Sequence, residues 1–263
     1  MRYLVSGAAG FVGYHTSEAL LRAGHEVLGI DNFSDYYDPD LKRARNARLE
    51  RHPGYQLAEL SILDIDQLVT SLYDYSPDRV IHLAAQPGVR YSLENPHAYI
   101  ETNIVGTLNL LQAIRNAPSR VDHLLVASTS SAYGANLDLP YRETDRTAFP
   151  ISIYAATKTS VEALTHSYAH LFDIPTTCFR FFTVYGPWGR PDMAPFIFTK
   201  RIFDAEEIQI FGDGSSRRDY TYIGDLVDAV QRLAALPPDG DGPTEPNDSS
   251  SPAAPWRTVN IGG

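Results

Sequence analysis

The sequence is poor in sulfur: one cysteine, Cys178, and two methionines in 263 residues. A single thiol cannot build a disulfide framework. Its place in the apolar run Thr176 to Phe182 reads as a small buried hydrophobe rather than a nucleophile. Basic residues are also scarce, 22 Lys and Arg against 32 Asp and Glu, for a formal charge of −10. No Lys/Arg run stands out, so nucleic acid and anionic membrane are poor partners. Long apolar runs are missing too; none reaches the ~20 residues of a membrane helix. Met1 leads almost at once into a strand without a secretory leader, and a cytoplasmic protein is expected. There are no internal repeats, and no metal is expected. What is left is an ordinary globular composition, 43% hydrophobic and 21% charged.

The first thirty-one residues carry the earliest functional signal. Arg2-Tyr3-Leu4-Val5 reads as a strand, followed by Ser6-Gly7-Ala8-Ala9-Gly10-Phe11-Val12-Gly13 and a helical pattern through Ala23. A second strand, Glu26 to Ile30, ends on Asp31. Strand, glycine turn, helix, strand and acid is the order of a dinucleotide site. Gly7 permits a tight turn, Gly10 lets backbone N–H groups approach a pyrophosphate, and Gly13 lets the helix lie close. Asp31 suits ribose hydroxyls and repels a 2′-phosphate, so NAD is expected rather than NADP.

Beyond Asp31 strands and helices alternate. Strands are expected at Tyr55 to Leu60, Arg79 to Leu83, His123 to Ser128 and Thr176 to Phe182; helices at 41–51, 64–75, 95–117 and 151–172. The expectation is an α/β fold with a doubly wound parallel sheet over residues 1–183. From Tyr185 the texture turns to Gly, Pro and aromatics, and residues 184–263 read as a smaller C-terminal α/β substrate lobe. It would hold a helix at 196–205, a strand from Ile208 to Phe211, a helix at 224–236 and a flexible loop at 237–255.

Tyr154 and Lys158 lie one helical turn apart, on one face. A nearby ammonium favours the phenolate and lowers a tyrosine pKa, so the pair can exchange a proton with a sugar hydroxyl. Ser128-Thr129-Ser130-Ser131 sit past the fifth strand, where ligands bind in open α/β sheets. Thr129 could share a hydrogen bond with that hydroxyl and Tyr154. Each motif alone also fits a solvated helix face or an ordinary Ser/Thr turn.

These motifs together resemble the extended short-chain dehydrogenase/reductase family, with its Rossmann-type sheet. His82-Leu83-Ala84-Ala85-Gln86-Pro87-Gly88-Val89-Arg90-Tyr91-Ser92, Thr102 to Thr107 and Arg180 to Met193 narrow the resemblance to the UDP-glucuronate 4-epimerase subgroup. It implies an NAD-dependent isomerase taking UDP-glucuronate to UDP-galacturonate through a 4-keto sugar, with Thr129, Tyr154 and Lys158 as catalytic residues. It implies NAD contacts at Gly7, Gly10, Phe11, Val12, Gly13, Asp31, Asn32, Ser34, Ile62, Leu83, Ala84, Ala85 and Asn103, with Tyr154 and Lys158. The UDP-sugar would meet Arg90, Ser128, Thr129, Ser130, Thr183, Arg190, Phe211 and Arg218. Arg190 and Thr183 would face the sugar carboxylate, which an arginine fork fits. A homodimer pairing helices 95–117 and 151–172 is also implied.

Three other readings stay open: UDP-glucuronate decarboxylase, UDP-glucose/galactose 4-epimerase, and a non-catalytic NAD-binding sensor. A 4,6-dehydratase is disfavoured, because Ser130 and Ser131 stand where that branch has an acid pair. Two departures are visible. Ser61 replaces the usual acid before Ile62 at the adenine, and relatives continue past Val259-Asn260-Ile261, so the lobe is expected to be incomplete.

Overall fold

A computed structural model describes every residue except Phe211, Ser216 and Gly263. Seven strands form one parallel sheet: β1 (Arg2–Ser6), β2 (Glu26–Asp31), β3 (Tyr55–Glu59), β4 (Arg79–His82), β5 (His123–Thr129), β6 (Thr176–Phe181) and β9 (Trp256–Ile261). Their order is β3-β2-β1-β4-β5-β6-β9. The order reverses between β1 and β4, which opens a crevice at their carboxyl ends. A separate parallel pair joins β7 (Thr183–Tyr185) to β8 (Tyr220–Tyr222), with Thr183 opposite Tyr220.

Side-chain alternation explains why the sheet is buried on both faces. Tyr3, Val5, Val27, Ile81, Leu125, Ala127 and Phe179 face one core, shared with α1 (Phe11–Arg22) and α9 (Ile223–Ala234). Leu4, Leu28, Ile30, Val80, Leu124, Val126 and Cys178 face the other, covered by α3 (Ile65–Tyr75), α6 (Gly106–Arg115) and α7 (Ile153–Phe172). Cys178 is fully buried there, and burial pushes its thiol up to about 12. α2 (Pro39–Leu49) flanks α1.

Three expectations need correction. The helix expected at 95–117 is not uniform. α5 (Pro96–Tyr99) passes into a π-helical turn, Ile100–Val105, before α6 begins, and a short α4 (Tyr91–Glu94) precedes it. The expected strand from Ile208 to Phe211 does not form at Ile208 to Ile210, and Phe211 lies outside the described residues. β7 and β8 pair with each other, and Ile208 to Ile210 follow α8 (Ala194–Phe203) as an irregular stretch. Nor does a clean lobe begin at 184. α9 packs into the β1–α1 core and β9 pairs with β6, so the chain returns to the main sheet. Residues 237–255 form no helix or regular strand, but His166 bonds Ser251 at 2.8 Å and His170 bonds the Ala253 carbonyl at 2.6 Å.

Candidate active site

The first turn of α1 is built to receive an anion. Gly7 takes φ +73°, and a Cβ there would stand 2.8 Å from the Ala84 nitrogen beyond β4. A Cβ on Gly13 would lie 2.0 Å from the Gly7 oxygen, so only glycine lets the helix close on the turn. The helix is capped by Gly10, with no side-chain bond to its first N–H groups and no acid in its first turn. The N–H groups of Phe11 and Val12 and the positive end of the helix therefore face the crevice. The Phe11 ring itself is buried in the core.

Asp31, 8% exposed, accepts from the backbone N–H groups of Ala9 at 3.0 Å and Phe33 at 2.9 Å. Its carboxylate is thus fixed beside the turn with lone pairs left for hydroxyl donors. Asn32 and Ser34 follow in the same loop, where the Asn32 side chain accepts from the Ser34 N–H at 3.2 Å. Buried Lys42 donates to the Ser34 carbonyl and hydroxyl, both at 2.8 Å. Across the crevice the Leu83 and Ala84 N–H groups bond the Ser6 hydroxyl at 3.2 and 3.3 Å, aligning Leu83, Ala84 and Ala85. His82 lies beneath, its ring nitrogens on Ser6 at 2.7 Å and Thr107 at 2.9 Å. Burial and the Lys158 charge hold its pKa down at about 3, so it is neutral.

Thr129 ends β5 and Tyr154 opens α7, a helix whose Ser152 cap accepts from the Ala155 N–H at 3.0 Å. Thr129 lies close enough to Tyr154 to act on its phenol. The Tyr154 pKa is raised by burial, while Thr129 and the Arg190 charge pull it the other way. This corrects the expected lowering by Lys158. The Lys158 ammonium instead donates to the Ala127 carbonyl at 2.9 Å, and burial brings it down to about 8. The ring of Tyr154 meets Tyr99 edge-on at 6.2 Å.

Three of the expected site residues are buried against partners within the fold. Ser128 is fully buried and donates to Glu162 at 2.5 Å, because neighbours along a strand point to opposite faces and Thr129 takes the face of the crevice. Asn103, 1% exposed, spends its amide protons on the Gln86 carbonyl at 3.2 Å and Thr157 at 3.0 Å, and accepts from the Gln86 N–H at 2.7 Å. It braces the 83–86 segment. Ile62 is likewise buried, its side chain against Gly106 and its carbonyl bonded by Asn109 at 3.1 Å.

The loop after β7 brings Arg190 back over this centre. Its field reaches Tyr154, and its guanidinium grips Asp192 with Nε at 3.0 Å and Nη2 at 2.5 Å. Burial works against that charge, but the paired carboxylate outweighs it and raises the pKa. Tyr36, from the Asp31 loop, donates to the same carboxylate at 3.1 Å. Thr183 is half-buried at the start of β7, its N–H on the Asp219 carbonyl at 3.1 Å. Arg218 precedes that residue on an exposed stretch and donates to the Arg217 carbonyl at 2.8 Å. Ser130 opens a 3-10 turn beyond Thr129, and Arg90 is exposed at the head of α4. Phe211 is not among the described residues.

The chain that carries this glycine turn, fixed acid and Thr-Tyr-Lys set matches a family model described as the NAD dependent epimerase/dehydratase family, over residues 3–247. The chain belongs to that family. It is 48% identical over 266 residues to a probable UDP-glucuronate 4-epimerase of Rhizobium meliloti, covering 100% of this chain and 77% of that protein. The crystal structure of UDP-glucuronic acid 4-epimerase from Bacillus cereus with UDP-glucuronic acid and NAD is similar at TM-score 0.86 and 38% identity, over 100% of this chain and 78% of that one. UDP-glucose 4-epimerase from Thermotoga maritima with UDP-glucose gives TM-score 0.79 and 32% identity, over 100% and 77%. The cradle that a Cβ would fill at Gly7 and Gly13 fits the family's NAD, and Asp31 fits its adenosine ribose.

Sequence reading missed Tyr36, Lys42, Arg45, Glu162 and Asp192. Lys42 and Arg45 sit in the basic helix expected at 41–51; their spacing of three along that helix was the available signal. Among the described residues no group of His, Cys, Asp and Glu is arranged to hold a metal, and no helix is long and apolar enough to cross a membrane.

Proposed function

We propose that this chain interconverts UDP-glucuronate and UDP-galacturonate by NAD-dependent epimerisation at C4. The observation that carries the reading is Arg190. A planar fork matched to carboxylates is delivered by a turn-rich loop into the field of Tyr154. The Rhizobium and Bacillus relatives support the same substrate.

NAD, when bound, supplies the acceptor and later the donor of a hydride beside the sugar. The chain's own groups handle the proton and the pose. The Tyr154 oxygen takes the proton of the sugar 4-hydroxyl, with the Thr129 hydroxyl sharing that hydrogen bond. The Lys158 ammonium, anchored on Ala127, brings positive charge to the same helix face one turn on. The 4-keto sugar then turns about its diphosphate tether and recovers the proton from Tyr154 with its other face presented. That intermediate is a β-keto acid prone to lose CO₂. Arg190, with Thr183, holds the carboxylate in the sugar plane, where the electrons of the breaking bond overlap poorly with the ketone.

A second reading, a neutral UDP-hexose epimerase, has one observation in its favour: Asp192 already neutralises Arg190, so a neutral sugar meets no unpaired charge there. Incubation with UDP-glucuronate or UDP-glucose, followed by the anomeric NMR signals, decides between them. Conversion of UDP-glucose alone overturns the uronate reading. NAD binding without conversion of any UDP-sugar favours the sensor.

We further propose a cytosolic homodimer through α5, α6 and α7. Exposed Ile100 and Val105, in the turn between α5 and α6, and Leu171 on α7 support the contact, and an unpaired thiol at Cys178 suits a reducing compartment. Sedimentation measures the mass.

A further inference from the structure

Arg45, on α2, is fully buried, and all five of its N–H donors are used. Nε donates to the Trp188 carbonyl at 3.1 Å. Nη1 donates to the Ala9 carbonyl at 3.2 Å and the Tyr37 hydroxyl at 2.8 Å. Nη2 donates to the carbonyls of Trp188 at 2.6 Å and Gly189 at 3.3 Å. Every acceptor is neutral, and among the described residues Arg45 has no ion-pair partner. Asp31 is reached only through Ala9, whose N–H it accepts while the Ala9 carbonyl faces Arg45. Lys42 and His15 carry further ionisable groups within the field of Arg45. A buried cation held by dipoles alone is costly unless an anion approaches.

The two things this guanidinium joins are the glycine turn and the two residues immediately before Arg190. Trp188 holds a left-handed backbone, φ 59°, which a residue with a Cβ adopts only when its surroundings impose it. Arg45 imposes it from inside, through both carbonyls. From outside, Tyr14 packs on the indole at 6.2 Å, Arg48 lies over it at 5.4 Å, and His15 bonds the Pro187 carbonyl at 2.8 Å. Trp188 is thus a strained residue held by the Arg45 fork on one side and by these contacts on the other.

We propose that Arg45 is a positioning residue that couples cofactor binding to the choice of sugar: the cofactor's diphosphate over the Gly7–Gly13 turn gives this buried guanidinium its counter-charge, and the guanidinium fixes the Trp188 and Gly189 carbonyls and so the aim of Arg190. The sugar-choice half rests on the uronate reading above. The cofactor-to-loop half does not. The two functions of the side chain separate chemically, since lysine keeps the charge but loses the fork.

Replacing Trp256 with Phe leaves Trp188 the sole tryptophan, whose emission reports the loop. In cofactor-stripped protein with Arg45 intact, NAD and ADP-ribose shift that emission, and adenosine, which lacks the diphosphate, does not. NAD also raises the preference for UDP-galacturonate over UDP-galactose, read as a ratio of dissociation constants, by about tenfold. Arg45→Lys binds NAD within about threefold of the parent, yet shows neither the emission shift nor the change in ratio. Arg45→Lys retaining both responses overturns the proposal. So does an emission unmoved by ADP-ribose with Arg45 intact, a result that needs no variant to fold. A ratio near one with and without NAD, beside an intact emission shift, overturns the uronate reading and leaves the cofactor-to-loop coupling supported.

Discussion

Arg190 and Asp192, two residues apart, meet as a two-bond ion pair that uses one edge of the guanidinium, Nε with Nη2. One carboxylate of the chain thereby orients the fork for a second. Asp192 is itself held by the Tyr36 hydroxyl, whose pKa burial and that carboxylate push up to about 12. Asp192→Asn removes the side-on charge and loosens the aim. KM for UDP-glucuronate is expected to rise about tenfold, roughly 1.4 kcal/mol, with KM for UDP-glucose unchanged. Steady-state kinetics on both sugars checks it; equal effects on the two would show that Asp192 only supports the loop.

Lys158 trades stability for function. Its folded pKa of about 8 lies below the ordinary 10.5, so the fold holds the ammonium at neutral pH less favourably than the unfolded chain does. The cost is complete below pH 8, shrinks between 8 and 10.5 as the folded form gives up its proton first, and is gone above. Lys158→Met is expected to abolish turnover and to stabilise the fold at pH 7 by about 1–3 kcal/mol. The gain should fade as pH approaches 10.5. Urea denaturation at a series of pH values reads this directly.

Acid should unfold the protein early. His82 at about 3 and His123 at about 4 are buried neutral, the first between Ser6 and Thr107, the second on Thr177 at 2.9 Å. Burial lowers both. Below about pH 6.5 the unfolded chain binds protons that the fold refuses, so stability falls as pH drops from 6.5 toward 4. Thermal melts across that range should show the slope, and His82→Asn should flatten it.

Glu162 and Arg180 form a buried pair with bonds of 2.9 and 2.7 Å, and Ser128 donates to the same carboxylate. Glu162→Gln leaves the guanidinium without a counter-charge under the site. A loss of about 3–5 kcal/mol is expected in denaturant unfolding. A loss below 1 kcal/mol would mean that Arg180 finds another partner.

How much of this was readable in advance depends on range. The glycine turn, Asp31 and the parallel sheet announce themselves because each rests on neighbours within a few residues. The Tyr154–Lys158 spacing correctly placed both side chains on α7, yet not the Lys158 bond to Ala127, since a carbonyl on another strand leaves no mark in residue type. Ser128 and Thr129 look alike in one dimension; strand parity alone sends one to Glu162 and the other to Tyr154. Arg45 was the least legible. Its acceptors Trp188 and Gly189 lie 143 and 144 residues away and are backbone carbonyls, which every residue carries.

The π-helical turn at Ile100–Val105 gives the protein an unusual sensitivity to chain length. Such a turn holds one residue more than the α-helix around it, and Asn103 faces Gln86 and Thr157 by virtue of that surplus. Deleting one residue here would take up the surplus and restore an unbroken helix, and the residues of the turn itself would lose their present facing. The amide would leave the 83–86 segment although every chemical group of the active site remained. Along this helix, insertions and deletions rather than substitutions are the changes that natural variation has least room to make.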